Sequence, residues 1–167
     1  MEENLCDDIR MQLIQTRTIL DESKLERTLN TYPITIWSEI LTIAEKLLNE
    51  INAMRYVFKS DLKNMLDEAF LLQLNRVEEK INLSFKNLAE RINDWGPAEN
   101  KDELKYLIDG INEQLLRFRS LRATRPFDFE FVERYFVFFY SLKSILLELY
   151  HLNELIDSIQ TEIASDT

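Results

Sequence analysis

From Tyr135 onward the apolar residues fall at Tyr135, Phe138, Leu142, Ile145, Leu149, Leu152, Ile156, Ile159 and Ile163, in steps of three and four without a slip. That period puts one continuous stripe on a helix and packs it against other helices along its whole length. Pro126 stops what precedes it. Asp128 is placed to accept from the free amides of a first helical turn, and Phe127 with Val132 forms the two ends of a hydrophobic staple. The spacing predicts a helix from Phe127 to Ile163. It is apolar nearly all round at Phe136, Val137, Phe138, Phe139 and Tyr140, where it should be central to a core.

Four further helices can be read upstream. Residues 2–21 carry a thin stripe of Leu5, Ile9, Leu13 and Leu20 with Thr16 between them, and a polar connection follows over 22–33. Pro33 is compatible with a first helical turn, so the second helix begins between Thr31 and Thr35. Its stripe is Trp37, Ile40, Ala44, Leu47, Ile51, Met54 and Phe58, widened by Leu41 and Leu48. A break is expected near Lys59 to Asp61 with Ser60 as cap, because one helix over 34–94 would reach ~90 Å, too long for a compact domain. The third helix shows Leu62, Leu66, Phe70, Leu74, Val77, Ile81, Phe85, Leu88 and Ile92, mostly four apart, so its face drifts. It stops at Asp94, before Trp95-Gly96-Pro97, since Gly suits the left-handed position after a helix and Pro cannot continue one. The fourth opens on a capping-box pattern from Asn100 to Glu103 and presents Leu104, Ile108, Ile111, Leu115 and Phe118, ending around Arg122 to Thr124. Gly110 inside it is expected to mark a close helix contact.

Composition narrows the class. Only 2 Gly and 3 Pro in 167 residues leave few reversals, which favours long helices. The reading is an all-α single domain over residues 1–167, a bundle of about five mostly long antiparallel helices. Acidic residues outnumber basic ones 30 to 20, a net charge of −10 that repels phosphate backbones and argues against nucleic-acid binding. Cys6 is the sole cysteine, so a disulfide framework and a zinc-type cysteine cluster are excluded, which fits a reducing compartment. No apolar run approaches the ~18 residues of a membrane span. The start, Met-Glu-Glu-Asn, does not read as a signal peptide.

Candidate chemistry is sparse. Glu148 and His151 have the Glu-x-x-His spacing of carboxylate-bridged di-iron bundles, but such sites need two copies and further Glu, and His151 is the only histidine. The plainer reading is a surface histidine. A Ser–His or Cys–His pair would need that same residue as base, and no Gly-rich loop offers a phosphate cradle. The remaining acids read as solvated helix faces opposite the stripes. The expectation is a protein without catalysis, metal or cofactor. Arg117, Arg119, Arg122 and Arg125 form the one basic cluster. Cations are favoured at a helix C-terminus, yet four arginines in nine residues exceed that need. They are the candidate contact for an anionic surface, acidic partner or lipid headgroups. The aromatics Phe127, Phe129, Phe131, Tyr135, Phe136, Phe138, Phe139 and Tyr140 read as core rather than as a ligand pocket.

Two stretches carry a resemblance. The Glu- and Leu-rich run from Asp21 to Tyr32-Pro33 is followed by Ile36 to Leu41, by Glu45 to Ile51 and by Ala53-Met54-Arg55. The second stretch is Arg125-Pro-Phe through the aromatic run Tyr135 to Tyr140 and on to Leu146-Leu-Glu-Leu149. Together they resemble the soluble helical part of the fusaric acid resistance and aromatic acid exporter family, over somewhat under half the chain. The resemblance implies a cytoplasmic helical domain at the inner face of a membrane, associated with the membrane portion of a transporter and acting in its assembly or regulation. It carries over no functional residue, because the matching positions are packing positions. A stand-alone adaptor or effector that binds a protein partner is the alternative, and self-association into a homo-oligomer is compatible with either.

Overall fold

A computed structural model gives the fold and describes residues 2–25, 34–57, 68–94, 101–120 and 128–165. Five helices account for all of these except Asp128: α1 (Glu2–Leu25), α2 (Ile34–Val57), α3 (Glu68–Asp94), α4 (Lys101–Ser120) and α5 (Phe129–Ser165). The expected all-α bundle is what forms. The break at Lys59 to Asp61, Pro33, the Trp95-Gly96-Pro97 stop and Asn100 of the capping box lie outside the described residues. So do Phe58, Leu62, Leu66 and Phe127, and the side chains of Phe70, Phe118 and Ile163.

α5 is the spine. Its 37 residues reach about 55 Å at ~1.5 Å each. It starts where the sequence expects a cap: the Phe131 amide donates to Asp128 Oδ1 at 2.7 Å and the Val132 amide to the Asp128 carbonyl at 3.2 Å. Every described member of its stripe, from Tyr135 to Ile159, is buried, and Phe139 and Leu146 beside the stripe are fully buried too. α2, α4 and α3 all pack on α5, while α1 packs on α2. One hydrophobic cluster draws on α2, α3, α4 and α5, including Leu47, Val77, Leu104, Ile111, Leu149 and Ile156.

Cross-helix pairs fix the directions. On α4, Lys101 meets Asp157 while Arg119 meets Tyr140, so α4 runs antiparallel to α5. On α3, Arg91 meets Asn153 and Asp157, and the other half of the helix lies over Phe139, so α3 runs parallel to α5. Lys46 meets Glu148, and Glu50 lies near Tyr140, so α2 is antiparallel to it. α1 opposes α2, with Arg17 beside Glu45 (3.0 Å) and Cys6 beside Arg55 (3.3 Å). Successive helices therefore alternate in direction, as the short connections require.

Four sequence expectations are corrected. α1 continues to Leu25 rather than ending at 21. Nothing there breaks a helix, and Ser23 Oγ donates back to the Ile19 carbonyl at 2.8 Å. Its stripe is also shallower than expected, with Leu5 60% and Ile9 38% exposed and Leu13 and Leu20 half-buried. On α3 the expected Val77 and Leu88 are buried, but the drift of the four-residue steps leaves Ile92 41% exposed, and Lys80, Ser84 and Arg91 join the buried line. Gly110 marks no close contact: a Cβ built on it meets nothing within 4 Å.

Candidate functional site

Two members of the arginine cluster, Arg117 and Arg119, sit at the C-terminal end of α4. Arg117 and Arg119 are exposed there, while Arg122 and Arg125 lie outside the described residues. α4 is antiparallel to the spine, so its last turn delivers Arg119 to the aromatic segment of α5. Phe136 and Tyr140, one turn apart, stack with ring centroids 6.2 Å apart. The Arg119 guanidinium carbon lies 5.2 Å from the Phe136 centroid and 5.9 Å from that of Tyr140, and the guanidinium donates to the Tyr140 hydroxyl. The rings hold a cation electrostatically and fix its orientation. A planar guanidinium on an aromatic face keeps donors free to meet a carboxylate or phosphate.

The aromatic run divides. Tyr135, Phe138 and Phe139 are buried and make edge and tilted contacts, with Tyr135–Phe139 centroids at 4.4 Å and Phe138–Phe139 at 5.2 Å. Phe131 and Phe136 pack half-buried against the core. Phe129, 82% exposed, and Tyr140, 46% exposed, are not core residues, contrary to the sequence expectation. Between them along α5, Arg134 pairs with Glu130. This end of the bundle thus carries aromatic rings with Arg117 and Arg119, and Glu50 and Glu133 line the surface beside Phe136 and Tyr140.

A second polar constellation has no counterpart in the sequence reading. Arg91, 1% exposed, donates to Asn153 Oδ1 at 2.7 Å, to Asp157, and to Gln160 Oε1 at 3.2 Å. Lys101 Nζ reaches the other Asp157 oxygen at 2.7 Å. Burial pushes the Asp157 carboxyl up, but hydrogen bonds from Lys101 and Arg91, and their charges, outweigh it and hold the group below the ordinary carboxylate value. The hydrogen bond to Asp157 holds Lys101 above its ordinary value, against a smaller desolvation effect. Asn153, Asp157 and Gln160 recur at helical spacing beside the apolar stripe, which is the signal that marks them as facing a neighbour. The seam joins the end of α3 and the start of α4 to the spine.

Glu148 is also buried, at 6% exposed, and pairs with Lys46 of α2, so it does not belong to a solvated face. His151 is an exposed neighbour whose Nδ1 stands 3.8 Å from Glu148 Oε2. Among the described residues, no three His, Cys, Asp or Glu side chains converge on a point that could hold a metal ion. No described helix is long and apolar enough to cross a membrane. No family model matches the chain, and no curated protein or solved structure matches it either.

Proposed function

We propose that this chain is a non-catalytic helical binding domain that engages an anionic surface through its arginine–aromatic end. The observation that carries the reading is Arg119, exposed yet held across Phe136 and Tyr140, with Arg117 beside it on the same bundle end. Ordering an arginine in advance lowers the side-chain entropy lost on binding. The resemblance to the fusaric acid resistance and aromatic acid exporter family supplies the context: a cytoplasmic domain whose partner is the membrane portion of a transporter, in an assembly or regulatory role. In that setting Arg117 and Arg119 face headgroups or acidic loops at the inner membrane surface. The experiment is co-sedimentation with anionic and neutral vesicles. Binding should be confined to the anionic ones, should weaken as added salt shortens the screening length below the ~8 Å of physiological buffer, and should be lost in Arg117→Glu/Arg119→Glu. A folded double variant that binds as well as wild type at low salt removes the support for this orientation.

A stand-alone adaptor is the second reading, favoured by α1. Its Leu5, Met11, Ile14 and Ile19 are between 50% and 63% exposed, more apolar surface than a helix packed on one neighbour usually leaves in water. In that case deletion of α1, rather than charge reversal on α4, abolishes association with the partner.

A further inference from the structure

α3 and α4 each pack on α5 but scarcely on each other, apart from the Lys80–Glu103 ion pair at 2.9 Å. Between them lies a groove of about 390 Å³. Its floor is apolar: Leu74 and Val77 from α3, Leu107 and Ile111 from α4, and the fully buried Phe139 of the spine. Gly110 stands at its edge with open space where a side chain would project, and this keeps the mouth wide. The volume falls within the ~300–1,000 Å³ of sites that enclose small molecules.

Charge decides which kind of molecule fits. The α4 wall presents Asp109 and Glu113, four residues apart and both exposed, with the exposed ring of Tyr106 alongside. The α3 wall offers a single cation, Arg76. None of these four makes an ion pair or side-chain hydrogen bond among the described residues. The rim is therefore net acidic on a molecule of net charge −10, and both the local and the overall field favour a cation over an anion. We propose that this groove binds a small amphipathic cation, an ammonium group on an apolar or aromatic body. The body lies against Leu74 and Leu107, which keep part of their surface open above the buried Phe139, and the ammonium stands between Asp109 and Glu113 over the face of the Tyr106 ring, which adds to the attraction.

The test uses three probes with one body and different heads: 4-phenylbutylamine, 4-phenylbutanol and 4-phenylbutyrate. Each is titrated into the full chain and followed by amide chemical shifts. The amine should bind saturably with a Kd on the order of 1 mM, as suits a ligand of that size. Its shifts should centre on residues 74–77 and 106–114, the alcohol should bind more weakly, and the acid weakest. Asp109→Asn/Glu113→Gln should weaken the amine about tenfold and leave the alcohol unchanged, since two exposed ion pairs are lost. Gly110→Leu places a good helix former at the mouth, so it should fold normally and exclude all three probes. If that variant folds poorly, the neutralising pair alone decides the matter. Equal binding of acid and amine, shifts centred elsewhere, or no saturation with the amine by about ten times the expected Kd overturns the proposal.

Discussion

At the scale of single residues, Arg91 shows most plainly how this bundle is specified. It is almost fully buried, and Asn153, Asp157 and Gln160 accept from it. Removing one partner of a buried pair costs more than removing both, because the survivor is left uncompensated. Asp157→Ala should therefore lower the unfolding free energy by about 3 kcal/mol, and Arg91→Met/Asp157→Ala should recover a good part of that loss. Urea unfolding of wild type, the Arg91→Met and Asp157→Ala single variants and the double variant checks this, and additive losses would show that the two side chains are not coupled. Leu149→Asp puts an unpaired charge at a position with no exposure and should cost about 4 kcal/mol, read in the same way. Gly110→Ala should stabilise by about 0.5–1 kcal/mol, because its Cβ meets no atom and alanine narrows the unfolded ensemble. Apolar positions such as Leu149 and Ile156 were legible from spacing alone, since burial is what an apolar side chain wants. Arg91 and Glu148 were not, because a charged residue enters a core only when a partner on another helix awaits it, and periodicity within one helix does not see the partner.

At the scale of elements, helix type and direction were legible and helix faces only partly so. α4 matched its expected face at Leu104, Ile108, Ile111 and Leu115, because its steps keep to one side of the helix. α3 matched its expected face at Val77 and Leu88, with Leu74, Ile81 and Phe85 packed against the core, but not at Ile92, because steps of four rotate the stripe and Arg91 takes the buried place there. The Arg119 stack was hidden for the same reason as Arg91: it exists only once α4 runs back along α5. The seam that docks α3 and α4 on α5 has a pH signature. Asp157 is held below its ordinary pKa, so its contribution is present above the unfolded value near ~3.9 and is lost as pH falls through the lower folded value. Lys101 is held above its ordinary pKa, so its contribution is full below ~10.4 and is lost as pH rises through the higher folded value. Stability should thus hold between these limits and fall off at both ends. Asp157→Asn should flatten the acid limb, as measured by thermal unfolding from pH 2 to 7. An acid limb unchanged in that variant would place the titrating group elsewhere.

At the scale of the whole molecule, one spine helix carries the core, and the remaining helices lean on it to different degrees. Among the described residues α1 packs chiefly on α2, so its removal should leave a folded remainder. The two ends of the bundle differ in kind: the buried Arg91 seam fastens the C-terminal half of α5, and the aromatic–arginine surface occupies the other end. The binding roles proposed for that surface and for the α3–α4 groove both require α5 to remain a continuous, rigid support. Native-state hydrogen exchange tests that most directly. Amides from Leu142 to Ile156 should exchange slowest, through global unfolding alone, while those of α1 exchange faster through local opening. Protection of α1 equal to that of α5, or a segment of α5 opening independently of the rest, would contradict it.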